Sequence, residues 1–487
     1  MGLDAKVRPL RQPIRLAVVR KYVSHLCLIA AVLDLVPLGA ALLLSDWPMA
    51  TRWGVTVLVL ALPRLLLHRE PLPPHLGTNE ALTVLALAYL LISLAQAHPL
   101  MDPDLNVVDA LFESVSALTT TGLSTLPSVQ QRSPAYLFAR AWIQWYGGVG
   151  IAIISLAVLI RRSGAARRLV DNSLEQEDLV GSTRAHTRHA VAVYLVLSVV
   201  GFLVLWPSLG AWHALLYTLA GVSTGGFAPH DASLAALPPV SQPLVMLVAC
   251  SGALPLVLYF RSYKLGWRHL FQDLEVRGLA ALILGLTLLM APALAWQGVK
   301  WTAAWWHAPL LVASAQSTTG FTTMDLLNLG PAATLVLIAA MFIGGGLASS
   351  SGGIHVYRFL LAGRLIRLMV LRACLPPHAV VEIDLGGRRI KHEEALPALL
   401  TILLFALVVL ISWGVFVSCG YEPLASLFEV TSATATVGLS SGITTQPLPW
   451  GLKLLLCADM LLGRLEILAF LVILCPGNWR AKRETGP

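Results

Sequence analysis

Ser432–Gly442 reads SATATVGLSSG, a run of small hydroxyl residues around Gly438 set between two long apolar segments. Such a run is poor material for a membrane helix. Serine competes for backbone hydrogen bonds, and an interior glycine costs about 1 kcal/mol relative to alanine. The rest of the chain is the opposite kind of material. Of its 487 residues 56% are hydrophobic and only 12% charged, against about 25% charged in soluble domains. Segments 81–95, 190–205, 279–294 and 399–417 are long and nearly free of charge. Each approaches the roughly 20 residues that cross about 30 Å of hydrocarbon. The sequence is that of a polytopic, all-α membrane protein.

The opening stretch has relatives. LFESVSALTTTGLST (Leu111–Thr125), LAGVSTGGF (Leu219–Phe227) and SAQSTTGFTT (Ser314–Thr323) align with it on Gly122, Gly225, Gly320 and Gly438. Alanine then lies five residues earlier each time, at Ala117, Ala220, Ala315 and Ala433. A hydroxyl lies two earlier, at Thr120, Ser223, Thr318 and Thr436. The first and last copies share Leu-Phe-Glu, with Glu113 and Glu429 nine residues before the glycine. One Ser/Thr-x-Gly tripeptide carries no information, but four in register between apolar segments are an internal repeat. The expected unit is helix, short half-helix, Ser/Thr-Gly loop, helix, used four times after two N-terminal helices, about ten spans in all. The units are two N-terminal helices in 1–70 and pore repeats in 71–170, 171–270, 271–375 and 376–487.

Non-helical backbone at membrane depth is tolerated only where it is buried in protein or lines a water-filled cavity. Four such loops meeting on one axis would present a ring of carbonyls able to replace the hydration shell of potassium. Glycine admits the dihedrals such a ring requires. The half-helices aim their negative ends toward the axis, which favours a cation.

Charge placement sets the expected topology. Basic clusters at Arg161, Arg162, Arg167 and Arg168, at Arg261, Lys264 and Arg268, at Arg364, Arg367 and Arg372, at Arg388, Arg389 and Lys391, and at Arg480, Lys482 and Arg483 flank apolar segments. Basic flanks mark the cytoplasmic side, which places both termini and the loops 163–187, 262–276 and 372–394 there. The net charge of +8 is used up by this pattern, so nucleic acid is not the implied partner; membrane lipid is. The apolar stretch 26–44 lacks a small-residue cleavage site and reads as a retained first helix rather than a signal peptide. The six scattered cysteines form no CxxC pair, and neither a zinc site nor a disulfide framework is expected.

Six motifs together carry a family resemblance: DALFESVSALTTTG (Asp109–Gly122), QWYGGVG (Gln144–Gly150), GGFAPHDAS (Gly225–Ser233), TTGFTT (Thr318–Thr323), GGGLASSSGGIHVYRF (Gly344–Phe359) and LLGRLEI (Leu461–Ile467). The sequence resembles the Trk/Ktr/HKT superfamily of potassium transporters, most closely its bacterial TrkH branch, over nearly the whole chain. The resemblance implies four pseudo-repeats around one pore in the bacterial inner membrane, a homodimer, and a cytosolic nucleotide-binding regulator of the TrkA/KtrA type. It implies potassium as the transported ion, no cofactor in this chain, and no enzymatic activity. The filter lines it implies are Thr120-Thr121-Gly122, Ser223-Thr224-Gly225, Thr318-Thr319-Gly320 and Thr436-Val437-Gly438, with carbonyls of the two residues before each glycine as the main ion contacts. Serine at the first glycine accompanies sodium selectivity in some plant members; all four positions are glycine here, which favours potassium. A sodium-coupled or sodium-permeable member of the same superfamily is the nearest alternative.

Gly344-Gly345-Gly346 and Ser349-Ser350-Ser351-Gly352-Gly353 interrupt the second helix of the third repeat. A close helix crossing is one reading; an unwound intramembrane gate loop, which the resemblance implies, is the preferred one. Arg464 lies inside the last apolar segment, where charges are expensive and face a cavity or partner. Residues two apart face different sides of a helix, so pairing with Glu466 is awkward. A cytoplasm-side barrier to cations is expected of Arg464. Glu113 and Glu429 are read as buried carboxylates holding loop amides, and Asp34 as packed against neighbouring helices. Gly148-Val149-Gly150 lacks the third glycine and strand context of a dinucleotide site, so a nucleotide belongs to a partner subunit. An intramembrane enzyme would need a histidine or carboxylate at one offset in all four loops, and none is there.

Overall fold

Pro37 cannot donate to the carbonyl four residues before it, and the first helix breaks there. Leu16–Leu33 and Leu35–Leu43 meet at Asp34. The Leu33 carbonyl that Pro37 leaves free accepts from the Trp142 indole at 2.9 Å. The break carries the buried Asp34 to two partners that are distant in sequence. Gln96 Nε2 donates to its carboxylate oxygens at 3.0 and 3.1 Å, and the Tyr146 hydroxyl donates at 3.1 Å. Packing alone was expected of Asp34. The fold instead gives it neutral donors that tie the N-terminal helices to Pro134–Arg162.

The computed structural model describes residues 14–67, 77–101, 105–162, 179–374, 376, 383–385, 388–390, 392–465 and 467. Glu466, Cys475, Arg167, Arg168, Lys391 and the two terminal segments with their basic residues lie outside these. After Trp47–Leu66 come four successions of long helix, short helix and return helix. The first is Thr78–Ala97, Val107–Leu118 and Pro134–Arg162. In the second the helical stretch Leu179–Val222 is broken at Gly210 (φ 73°) into a long helix and the short helix 211–222. Ser241–Gly252 and Leu256–Leu265 return, bent by 89°. The third is Leu274–Trp296, Trp301–Gln316 and Pro331–Ile343, continued after a break by Val356–Ala373. The fourth is His392–Ser418, Pro423–Thr434 and Trp450–Arg464. A two-stranded antiparallel hairpin, Ile383–Leu385 with Arg388–Ile390, precedes it. The expected loop at 262–276 is mostly helical, through Arg268–Gln272 and the start of Leu274–Trp296.

Among the described residues six helices are long and apolar enough to cross a membrane, or seven counting the bent pair as one span. This is a multi-pass membrane protein. Its burial is arranged for lipid: Leu195, Val196, Val199, Val200 and Leu203 are 46–59% exposed along one face of their helix. The short helix Val107–Leu118 is the converse, with nine of its twelve residues buried, among them Asp109, Glu113, Ser114 and Ser116. Apolar side chains face outward as well as filling the core, while these polar side chains are kept inside.

Candidate functional site

The four short helices end in the same way. Val107–Leu118, 211–222, Trp301–Gln316 and Pro423–Thr434 each pass into a threonine of left-handed backbone: Thr120 (φ 53°), Thr224 (52°), Thr318 (56°) and Thr436 (52°). Each threonine N–H bonds the carbonyl three residues back, at 2.9–3.2 Å. The next N–H reaches five back, as from Thr121 to Ser116, Gly225 to Ala220, Thr319 to Ser314 and Val437 to Ser432, at 2.8–2.9 Å. This paired pattern is a Schellman ending, whose left-handed position usually holds glycine. A β-branched residue there is an outlier and costs roughly 1–2 kcal/mol, repeated at all four helix ends.

Two residues after each threonine comes a second left-handed residue: Gly122 (φ 90°), Gly226 (74°), Gly320 (79°) and Gly438 (91°). The structural second line is therefore Thr224-Gly225-Gly226, one residue later than the sequence alignment placed it. Gly225 and Gly226 are adjacent, and the turn uses the second of them. Ser223 lies at the helix end, its hydroxyl donating back to the carbonyls of Leu219 at 2.8 Å and Ala220 at 3.1 Å.

The turns close into a cycle. A Cβ on Gly122 would strike the Gly225 carbonyl, and one on Gly226 the Thr319 carbonyl. A Cβ on Gly320 would strike the Val437 carbonyl, and one on Gly438 the Thr121 carbonyl. Each glycine thus abuts the carbonyl-bearing residue just before the next loop's glycine, and the fourth loop returns to the first.

Buried polar side chains hold this ring. Glu113 Oε1 accepts from Ser124 Oγ at 2.6 Å and from the Thr125 amide at 2.9 Å, while its Oε2 pairs with Arg140 Nη2 at 2.8 Å. The Arg140 guanidinium also lies 3.7 Å from the centre of the Phe227 ring, just past the second line. Glu429 accepts from Ser440 Oγ at 2.9 Å, Ser441 N at 2.8 Å and Thr444 N at 3.2 Å. Gln144 Nε2 donates to the Gly225 carbonyl at 2.5 Å, and its Oε1 accepts from the Phe227 amide at 3.1 Å. Lys453 Nζ pairs with Asp109 at 2.5 Å, joining the last helix to the first short one. Gly147 and Gly148 let Pro134–Arg162 close onto this assembly, since a Cβ would meet the Leu118 carbonyl or Ser223.

The interruption expected at Gly344–Gly353 lies directly against the ring. Gln316 Nε2 donates to the Gly344 carbonyl at 2.5 Å. The Leu347 amide donates to Glu275 Oε2 at 2.7 Å, and Ser349 and Ser351 bond each other at 2.6 Å. Ser350 Oγ donates to the carbonyls of Val222 at 2.9 Å and Gly252 at 2.8 Å. The Ser350 carbonyl accepts from Thr224 Oγ1 at 2.7 Å and from Arg464 Nη1 at 2.7 Å. The buried Arg464 thus holds the loop as well as placing a charge beside it. A cavity beneath is lined by Gly352, His355, Thr401 and Arg464.

A family model described as TrkH, cation transport protein, matches residues 53–262 and 297–478. The chain belongs to this TrkH family. Among relatives, the Trk system potassium uptake protein TrkI of Halomonas elongata is 30% identical over 96% of this chain and 97% of its own. The Trk system potassium uptake protein TrkH of Escherichia coli K12 is 29% identical over 83% and 87%. The crystal structure of the potassium transporter TrkH from Vibrio parahaemolyticus has the same fold. Its TM-score is 0.85 at 24% identity, covering 96% of this chain and all of that one. The TrkH family is one of cation transporters and not of enzymes. Sequence reading alone missed Arg140, Gln144, Gln316 and Lys453 as braces. Their signal was present, since polar residues inside apolar segments face partners or cavities.

Proposed function

We propose that this protein takes up potassium across the bacterial inner membrane through one pore at the axis of the four loops. The observation that carries the reading is the closed cycle of left-handed turns, each glycine set against the next loop's carbonyl-bearing residue. Thr120-Thr121-Gly122, Thr224-Gly225-Gly226, Thr318-Thr319-Gly320 and Thr436-Val437-Gly438 form the filter. Their carbonyls replace the ion's water, and the short helices direct their negative ends at it. Glycine at all four positions supports potassium over sodium as the preferred ion. The four successions of helices are the pore repeats, 71–170, 171–270, 271–375 and 376–487, within ten spans whose ends lie in the cytoplasm.

The segment Gly344, Gly345, Gly346, Ser349, Ser350, Ser351, Gly352 and Gly353, together with Arg464, gates the pore from the cytoplasmic side. A homodimer in lipid, docked by a cytosolic nucleotide-binding regulator, is the working assembly; the naming of the Halomonas and Escherichia relatives as parts of Trk systems supports such a partner. The test is growth of an uptake-deficient bacterium on low potassium, with this gene alone and with its regulator. Restored growth is expected. Protein present in the membrane without restored growth would sink the proposal.

A further inference from the structure

Threonine at the left-handed helix end is strained, and glycine would relieve that strain. What threonine adds is a hydroxyl, and strain kept at a site is a pointer to its use. The four hydroxyls are engaged unequally. Thr318 Oγ1 accepts from the Gly352 amide at 2.8 Å. Thr224 Oγ1 donates to the Ser350 carbonyl at 2.7 Å. Thr436 Oγ1 lies against Gly352, where an added Cβ would run into it and into the Ala435 carbonyl. Thr120 and Thr436 are completely buried, yet their Oγ1 atoms have no hydrogen-bond partner among the described residues.

We propose that the 344–353 loop closes the pathway by taking the cation's place on this threonine ring, so that loop and cation are alternative ligands of the same hydroxyls. The inference rests on the potassium-pathway reading above and adds what the loop competes with. The Gly352 N–H presents the positive end of a dipole to the Thr318 hydroxyl oxygen, the kind of acceptor a dehydrated cation would also use. Arg464 supplies full positive charge one residue pair away, on the Ser350 carbonyl that Thr224 also engages. Gly352 alone can sit there, because any side chain would strike the ring it plugs. Competition for one site is reciprocal. A cation on the ring loosens the loop, and displacing the loop raises the ring's affinity for cations by the same factor.

The experiment is uptake of radioactive rubidium into liposomes containing the full chain without its regulator. Thr318→Val removes the one ring acceptor of the Gly352 amide but only one of the four hydroxyls open to the cation, so the loop loses more than the cation does; uptake should rise by up to about threefold to tenfold, the worth of one buried hydrogen bond. Thr318→Ser restores the acceptor and should return uptake to the parent's level. Thr120→Val removes a hydroxyl the loop does not engage; it should raise the half-saturating rubidium concentration and lower uptake. Gly352→Ala unseats the loop by a second route and should raise uptake even if Thr318→Val gives no folded protein. Equal rises in Thr318→Val and Thr120→Val would overturn the proposal, as would no rise in Thr318→Val or Gly352→Ala at parental yield. A parent that carries no rubidium would instead remove the potassium-pathway reading itself.

Discussion

In the first and fourth loops the backbone beyond the glycine is held by a carboxylate nine residues earlier on the same segment, Glu113 for Ser124 and Thr125, Glu429 for Ser440, Ser441 and Thr444. In the second and third loops the structurally equivalent positions are Tyr217 and Leu311. There no carboxylate is present, and part of the holding comes from elsewhere. Gln144 reaches the second loop from Pro134–Arg162, and the Tyr217 hydroxyl donates to the Ser233 carbonyl at 3.1 Å. The Thr322 amide of the third loop donates to Ser233 Oγ at 3.2 Å. These are also the loops whose threonines bond the 344–353 segment through Ser350 and Gly352. All four loops take bonds from their own chain segment, as His307 Nδ1 does with Thr323 Oγ1 at 3.0 Å in the third, but among the described residues only the second and third are also braced by the proposed gate. Movement of that segment should therefore register first in the second and third loops.

The largest effect should come from removing the carboxylate braces. Glu113→Ala leaves the Arg140 guanidinium, 2% exposed, without its carboxylate, and breaking a buried pair costs about 3–5 kcal/mol. Glu429→Ala strands amides and hydroxyls only, at about 1–3 kcal/mol. Melting temperature in detergent should fall for both, and further for Glu113→Ala. Equal falls would mean that the Arg140 pair does not distinguish the first loop from the fourth.

Next in size is the register of the second loop. At Gly226 an alanine would meet both a left-handed φ of 74° and the Thr319 carbonyl, a strain of roughly 1–2 kcal/mol before the clash. At Gly225 the obstacle is the amide end of Gln144, a side chain that can shift. Gly226→Ala should abolish selective rubidium uptake, and Gly225→Ala should retain part of it. The reverse order would restore the register read from sequence.

That register marks where sequence reading stopped. Four loops could be found because each must leave the helix, and hydroxyls with one glycine are the residues that do so at membrane depth. The doublet Gly225-Gly226 fits the pattern in two ways, with Ala220 and Ser223 favouring one and the backbone using the other. Hydropathy marked the long helices, whose outer faces meet lipid. The repeat also counted the second helices of the third and fourth units as spans, where the described helices Pro331–Ile343 and Trp450–Arg464 are only 13 and 15 residues long. The braces were hidden for another reason. Gln144 meets Gly225 across 81 positions, and Lys453 meets Asp109 across 344, and no local pattern records such pairings. Arg464 was visible as a misplaced charge, but its bond to the Ser350 carbonyl was not.

A smaller effect is expected from Gln144→Leu, which removes both hydrogen bonds to the second loop and leaves the Phe227 amide unpaired, about 2 kcal/mol. Yield should hold while the preference for rubidium over sodium declines. The corresponding cut in the third loop, Gln316→Leu, frees the Gly344 carbonyl and should change flux rather than selectivity. If both variants change the same quantity, the two loops are not held for different purposes.

The smallest expected effect, about tenfold in flux, belongs to Arg464→Ala. Two mechanisms predict a rise. As a barrier, a guanidinium 4 Å from a passing cation opposes it by about 4 kcal/mol at an effective dielectric near 20, and pore water screens part of that. As an anchor, Arg464 Nη1 holds the Ser350 carbonyl at 2.7 Å, a bond to a charged donor worth about 1.5–3 kcal/mol. Ser350 is also the partner of Thr224, so losing the anchor loosens the second loop and leaves the first untouched. Arg464→Gln separates the two, because glutamine offers an N–H without the charge. If anchoring dominates, regulator-free rubidium uptake in Arg464→Gln stays near the parent while Arg464→Ala rises. If repulsion dominates, both rise alike. The neighbour-braced loops predict the first result, with sodium entry in Arg464→Ala increasing alongside rubidium. Normal protein yield with unchanged or reduced uptake in Arg464→Ala would refute both mechanisms and leave Arg464 as a structural residue of the last helix.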